Sequence, residues 1–397
     1  MRSNTRGSLC SSTGTPSTES NLNIEFISID YANSTFLAEA LPSVPKGSAV
    51  YKIFDTRGQL IVLDKTSNLF QRLERYFGER SERVKDLDLR EITSRIEFRR
   101  TWSPFETAYV LYLQRRHYFP KTYRRMRTFR LFTLMKVNRK QRFPRIYASK
   151  QIKAGVEYFG PFVTRGQFAR LKTALERTFK LRPCLYNIRG NDPHPDCLYF
   201  QMHTCSRPCN NDIGREGYLA DVDGAIAFIQ GQDEKLEAPM LARMNALAAE
   251  EKFEEAELVR RQLEKIQRAR KEVKDKVPSI WGFDYLVLLP SDSTARTRVA
   301  IVRAGNIIGF EDFDSSSLAD FLPDEVSRRF STPSAPVNHN WQYDEFCLVA
   351  NYLVHPLKSV DLVRVESGMD LAGYLRKRHA SSRQKPREEN SGKQKNN

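Results

Sequence analysis

Apolar positions gather in short runs bounded by polar residues in some stretches of this chain and recur every three to four residues in others. Ala49–Asp55 is a short apolar run rich in β-branched and aromatic residues, Thr56-Arg57-Gly58 follows with turn chemistry, and Gln59–Leu63 is apolar again, which predicts strand, turn and strand. Ser67-Asn68 then caps a helix through Leu69, Leu73 and Phe77, and a second helix runs through Glu106 to Pro120. Phe168, Leu171, Ala174 and Leu175 carry the helical period of Arg165–Phe179. A helix is expected over Gly217–Gly231, and a helical hairpin over Glu237–Val273. The hairpin has one stripe of Leu241, Met244, Leu247 and Ala248, and a second of Phe253, Ala256, Leu258, Val259, Leu263 and Ile266. Farther on, Phe283–Leu289, Arg298–Val302 and Ile307–Phe313 read as an antiparallel meander with a turn at Gly305-Asn306. A helix over Tyr343–Leu353 and a strand over Val360–Val365 follow.

Polar ends frame these blocks. Residues 1–24 are Ser, Thr, Asn and Gly with almost nothing apolar, and Arg378–Asn397 is polar and basic; both are expected to be disordered. The 397 residues suffice for two or three domains, and 40% apolar content for small cores. No apolar run approaches the roughly 18 residues a spanning helix needs, so a cytoplasmic chain without a membrane partner is expected.

The net charge of +16 points to a polyanion, most simply nucleic acid. The charge concentrates between Thr107 and Arg145, where no acidic residue stands. Arg115, Arg116, Lys121, Arg124, Arg125, Arg127, Arg130, Lys136, Arg139, Lys140, Arg142 and Arg145 interleave there with Tyr118, Phe119, Tyr123, Phe129, Phe132 and Phe143. Cations neutralise phosphates and aromatic rings stack on exposed bases, whereas a solvated face over a ring-filled core would look the same in sequence.

Four of the six cysteines, Cys184, Cys197, Cys205 and Cys209, fall in a proline-rich loop with the spacing C-x12-C-x7-C-x3-C. Asn191-Asp192-Pro193-His194-Pro195 cannot be helical there. A loop this long needs something to close it, because ordering it has no core to lean on. Four thiolates on zinc or an iron–sulfur cluster would serve, although the C-x2-C knuckle of most zinc sites is absent. Disulfides are the other reading, and Cys10 and Cys347 standing alone fit a reducing compartment.

The same stretch resembles the UvrC family. YFGPF at Tyr158–Phe162, FKLRPC at Phe179–Cys184 and PDCLYFQMHTCSRPC at Pro195–Cys209 are similar to its YFGPY, LFPLR-x-C and RPCLYYQIGRCLAPC. The resemblance implies the incision subunit of bacterial nucleotide excision repair, with a [4Fe–4S] cluster on Cys184, Cys197, Cys205 and Cys209. Glu250–Ile266, EEKFEEAELVRRQLEKI, resembles the UVR motif that docks a UvrB-like helicase subunit. The matching positions are Phe253, Glu254, Ala256, Arg260 and Leu263, while the family's aspartate is Arg261.

Toward the N-terminus, AVY at Ala49–Tyr51, VLDK at Val62–Lys65 and SNLFQRLERYF at Ser67–Phe77 resemble a GIY-YIG nuclease domain. Tyr51, Lys65 and Arg72 match its functional positions. Val62 stands for the second tyrosine, Asp64 for a glycine and, aligned on Glu106 and Pro120, Leu111 for the metal-binding glutamate. Leucine binds no magnesium, so the nuclease reads as dismantled, with Asp64 the one local carboxylate that could rewire it.

The expected fold class is α/β plus α+β, multidomain. A degenerate GIY-YIG-like domain (45–146) precedes a cysteine-rich region (147–235), a UVR hairpin (236–273) and a small α+β domain (279–375). The expected function is a DNA-binding accessory of excision repair. It would hold structured or damaged DNA through Lys65, Arg72, Arg115, Arg116, Arg124, Arg125, Arg127, Arg130, Arg139 and Lys140. An active endonuclease using Mg²⁺ and a redox-responsive regulator are the competing readings.

Overall fold

The hairpin that the two apolar runs predict lies in the first of two structural units. The structure, a computed structural model, describes residues 25–31, 35–78, 88–186, 188, 196–231, 234–272, 277–331, 338–366 and 368–383. One unit holds the described residues up to Thr101 with Ile308–Phe310, and the other holds Trp102–Ile307 and the remaining described chain. The expected leader 1–24, the Asn191–Pro195 segment and residues 384–397 lie outside the described residues.

In the first unit β1 (Ile27–Asp30), β2 (Ala49–Asp55), β3 (Leu60–Thr66) and β4 (Thr93–Arg100) form a sheet in the order β1-β4-β2-β3, all antiparallel. The Asp55 carboxylate accepts from the Arg57 and Gln59 N–H groups, and Gly58 takes a φ of 73° to close the turn. Helix α1 (Leu69–Phe77) begins where expected, with Asn68 accepting from the Gln71 N–H; a one-turn helix, α2 (Leu89–Ile92), leads into β4. Ala49, Tyr51 and Ile53 of β2 meet Ile96 and Phe98 of β4 and Leu69, Leu73 and Phe77 of α1 in one core.

The second unit starts with α3 (Pro104–Tyr118), capped by Ser103. This helix is apolar on every side, and Phe105, Tyr109, Val110, Leu111, Tyr112 and Leu113 are all buried. Next, β5 (Thr133–Val137), β6 (Ile146–Ser149) and β7 (Glu157–Phe162) form a sheet in the order β6-β5-β7. Helix α4 (Arg165–Thr178) starts on a capping box of Thr164 and Gln167, α5 (Leu198–Gln201) is a single turn, and α6 (Arg215–Ile229) follows. Phe162, Phe168, Leu171, Leu175, Tyr218, Val222 and Phe228 share a core with Cys209.

Helices α7 (Glu234–Ala249) and α8 (Phe253–Glu272) make the expected hairpin, but both apolar stripes need correction: on α7 Leu241 and Ala248 are exposed and Met244 and Leu247 half-buried. Ala256, Val259 and Ile266 are buried, but Phe253 is 66% and Leu258 60% exposed. Leu258 lies two residues past Ala256, about 200° round the helix, so it cannot join the same face.

Strands β8 (Tyr285–Pro290), β9 (Arg296–Arg303) and β10 (Asn306–Asp314) are the expected meander, and β11 (Asp361–Arg364) extends the sheet to the order β10-β9-β8-β11. The tight turn is Ala304-Gly305, one residue earlier than expected, with φ of 48° and 79°. Helix α10 (His339–Val354) starts four residues before its expected beginning. Helix α9 (Leu318–Ser331) was not expected, and α11 (Leu371–Arg383) carries regular structure into the segment read as a disordered tail. The chain is therefore a mixture of helices and antiparallel sheets in two units. No helix among the described residues is long and apolar enough to cross a membrane.

Candidate functional site

Pairing in the first unit puts Tyr51 of β2 directly across from Asp64 of β3, so both side chains share one sheet face. Val62, opposite Ile53, lies on that face too, whereas Lys65, the next residue after Asp64, turns to the other side and is exposed. Helix α1 brings Arg72 and, one turn on, Tyr76. The Tyr51 and Tyr76 hydroxyls lie 3.3 Å apart, and the Arg72 guanidinium stands 5.9 Å from the Tyr76 ring. Burial and the Tyr76 hydroxyl push the Tyr51 phenol well up. Burial works against the Arg72 charge, but Tyr51, Tyr76 and Asp64 outweigh it and hold its pKa above the ordinary value. The structure thus gathers Tyr51, Arg72 and Asp64, leaves Lys65 out, and adds Tyr76. Tyr76 was legible as the residue four positions after Arg72 on one helix.

Leu111 and Glu106 lie in the second unit. Leu111 is core, and the Glu106 carboxylate accepts from the Trp102 N–H at 3.0 Å and pairs with Arg298 at 2.5 Å. Neither is a free ligand.

Cys184 follows Arg182-Pro183, Cys197 precedes α5, and Cys205 and Cys209 flank Arg207, whose φ of 55° bends the chain tightly. All four are free thiols; Cys205 and Cys209 are buried and the other two half-buried. Burial raises the Cys205 thiol to about 11, the Arg207 N–H at 3.4 Å opposes this, and Cys184, Cys197 and Cys209 raise it further. The Tyr186 hydroxyl hydrogen-bonds to the Cys209 and Cys184 side chains. In kind, four neighbouring thiols with hydrogen-bond donors on the sulfurs suit zinc or an iron–sulfur cluster. They do not stand in a closed ligand shell: among the described residues no three Cys, His, Asp or Glu side chains are arranged to hold a metal ion.

The basic segment divides into two populations. Arg115 donates to the Met126 carbonyl, Arg127 pairs with Asp344, and Arg116 is buried 3.7 Å from Glu345 and 3.9 Å from the Trp341 ring centre. Arg139 pairs with Glu157 at 2.7 Å and with Asp223, and Arg145 donates to the Cys184 carbonyl at 2.8 Å. Tyr123, Phe132 and Phe143 are buried in the core. Lys121, Arg124, Arg125, Lys140 and Arg142 are exposed, as is Arg130, which donates to the Val163 carbonyl at 2.9 Å.

On the hairpin, Glu254 and Arg260 are exposed, Leu263 is half-buried and Ala256 faces inward. Arg260 pairs with Glu257 at 2.6 Å and with Glu264. Phe253 and Leu258 are both exposed on α8, about 140° apart round the helix.

Residues 132–228, from β5 to the end of α6, match the family described as UvrC/Cho excinuclease, middle domain, and that span contains all four cysteines. Along that span the chain is similar to the UvrC family. It is 26% identical to the UvrABC system protein C of Clostridium kluyveri over 300 residues, 74% of this chain and 47% of that protein. It is 28% identical to that of Trichlorobacter lovleyi over 274 residues, 69% of this chain and 45% of the relative. The chain spans about half the length of the curated UvrC-family relatives it matches. No solved structure matches it.

Proposed function

We propose that this chain is a DNA-binding component of nucleotide excision repair, an accessory with a decayed GIY-YIG-type nuclease site. The observation that carries the accessory reading is the Tyr51–Tyr76–Arg72 cluster, where Asp64 is the carboxylate across from Tyr51; the residue aligned with the family's metal ligand is Leu111, which is core of the second unit. Two tyrosines and an arginine suit a phosphate oxygen. Metal-assisted hydrolysis also needs a cation held by several oxygens, and one carboxylate is a poor cage for it.

DNA is held through Arg72, Lys65 and the exposed cations between Lys121 and Arg142. The four cysteines carry a [4Fe–4S] cluster or zinc. Either group would close the loop through thiolate bonds, and only the cluster would add a one-electron couple. No step of the proposed function is routed through it.

The UVR-like hairpin docks a UvrB-like subunit, for which the exposed Leu258 provides an apolar contact. Leu258→Asp is expected to abolish capture of a UvrB-type partner in a pull-down. The melting temperature should hold, because an exposed position contributes within about 0.5 kcal/mol. Unchanged capture would remove this docking face.

The deciding test is incision of lesion-bearing duplex by anaerobically purified protein with a UvrB-type partner and Mg²⁺ or Mn²⁺. The expected result is binding without nicking above an Arg72→Ala control. The position of Asp64 opposite Tyr51 favours a second reading, a rewired endonuclease. Metal-dependent nicking that Asp64→Ala abolishes would establish that reading and overturn the accessory one.

A further inference from the structure

Arg182 is a buried cation that the hydrophobic core does not account for. It is 2% exposed. Its Nε donates to the Phe143 carbonyl at 2.9 Å, and its Nη1 donates to the Tyr186 carbonyl at 2.7 Å and lies 3.6 Å from the Cys184 Sγ. The backbone N–H donates to the Tyr218 hydroxyl, which in turn donates to the Pro144 carbonyl. Among the described residues it pairs with no carboxylate. The neighbouring arginines differ: Arg207 has Asp212 at 3.5 Å, and Arg145 acts on the Glu176 carboxyl. Carbonyl dipoles orient a guanidinium without cancelling its charge, and a buried charge without a counter-charge is strongly disfavoured. The nearest group that could carry a compensating negative charge is the Cys184 sulfur, as a metal-bound thiolate.

We propose that Arg182 is the charge-compensating, positioning residue of the cysteine centre, its guanidinium set against the Cys184 thiolate. Four thiolates around Zn²⁺, or around a cluster core of the same charge, leave a net double negative charge that the surrounding protein must offset. A fixed guanidinium, inside the fold and already aimed at one of the sulfurs, supplies that offset. Arg145 holds the Cys184 carbonyl at the same time, so this cysteine is gripped at both ends. The inference rests on the reading of the four cysteines as a metal centre.

The experiment measures zinc affinity of the full chain by chelator competition, and the midpoint potential after anaerobic iron and sulfide reconstitution. Arg182→Gln keeps hydrogen-bond donors and removes the charge; Arg182→Lys keeps the charge. Arg182→Gln is expected to weaken zinc binding about 10- to 100-fold, the usual effect of losing an outer-shell partner, and to lower the potential. Arg182→Lys should recover most of the affinity. Tyr218→Phe, which loosens the same junction without touching a charge, should lower the melting temperature and leave zinc affinity unchanged. Wild-type affinity in Arg182→Gln, or equal loss in Arg182→Gln and Arg182→Lys, would overturn the charge role. Zinc binding as tight in Cys184→Ser and Cys205→Ser as in the unmutated chain would instead remove the cysteine centre itself, and the proposal with it.

Discussion

Replacing Arg116 with methionine is expected to cost the second unit about 3–5 kcal/mol at pH 8 and much less at pH 5, read from denaturant unfolding at each pH. Glu345 is 7% exposed on α10, and burial pushes its carboxyl up to about 7. The Ile307 N–H, donating to its Oε2 at 2.8 Å, and Arg116 on α3 favour the ionised form, while Asp344 beside it disfavours it. At 3.7 Å the Arg116–Glu345 pair is too long for a direct hydrogen bond, so the guanidinium offsets the burial only in part. A carboxyl whose folded pKa lies above its unfolded value of 4.5 contributes stability that is complete below about 4.5 and is lost as pH rises through about 7. Asp344 is raised in the same sense by burial, against Arg127. Above that window Glu345 is charged and Arg116 is its nearest compensating cation. Removing Arg116 raises the carboxyl pKa further, so the penalty grows with pH; below it, the loss comes from packing, including the contacts with the Trp341 and Tyr112 rings. Equal losses at pH 5 and pH 8 would show that packing alone accounts for Arg116.

The parts of this fold legible in the sequence are those whose signals are local. Asn68 before Leu69 and Thr164 before Arg165 are caps that act within one turn, and both helices start there. Strand β4 was missed because four of its eight residues are charged; its core contribution is the alternation of Ile96 and Phe98 beneath Arg95, Glu97 and Arg99. Helix α9 carries Pro323 inside it, which argues against a helix on local grounds, yet Leu322 and Val326 are buried and hold it. The turn at Ala304-Gly305 shifted by one residue because Ala304 accepts a left-handed φ that favours glycine. The cations were harder to read. A run without acids says nothing about where its counter-charges lie, and the partner of Arg127 is 217 residues away in sequence. Asp344 and Glu345 on α10 thus turned Arg127 and Arg116 from outward-facing candidates into internal pairs. The cysteines were legible as a group, but the guanidinium beside them was not, since Arg182 in sequence is one cation among 64 Lys and Arg.

That division of the basic segment makes the second large effect measurable. Binding of the full chain to duplex DNA is expected to fall by about a thousandfold between roughly 50 and 200 mM salt. Six phosphate contacts give a slope of about −5 in log affinity against log salt. The six exposed cations Lys121, Arg124, Arg125, Arg130, Lys140 and Arg142 supply those contacts, and each phosphate neutralised releases a counterion. Arg124→Gln with Arg125→Gln is expected to shallow the slope by about 2 and to weaken binding to all sequences alike, because backbone contacts carry no sequence information. Arg127→Met and Arg116→Met should leave the slope unchanged wherever the variants remain folded, since both guanidinium groups already face carboxylates inside the unit. A slope near zero, or one that Arg116→Met shallows as much as the Arg124–Arg125 pair does, would place the DNA elsewhere. It would then leave the net charge of +16 as a property of solubility rather than of recognition.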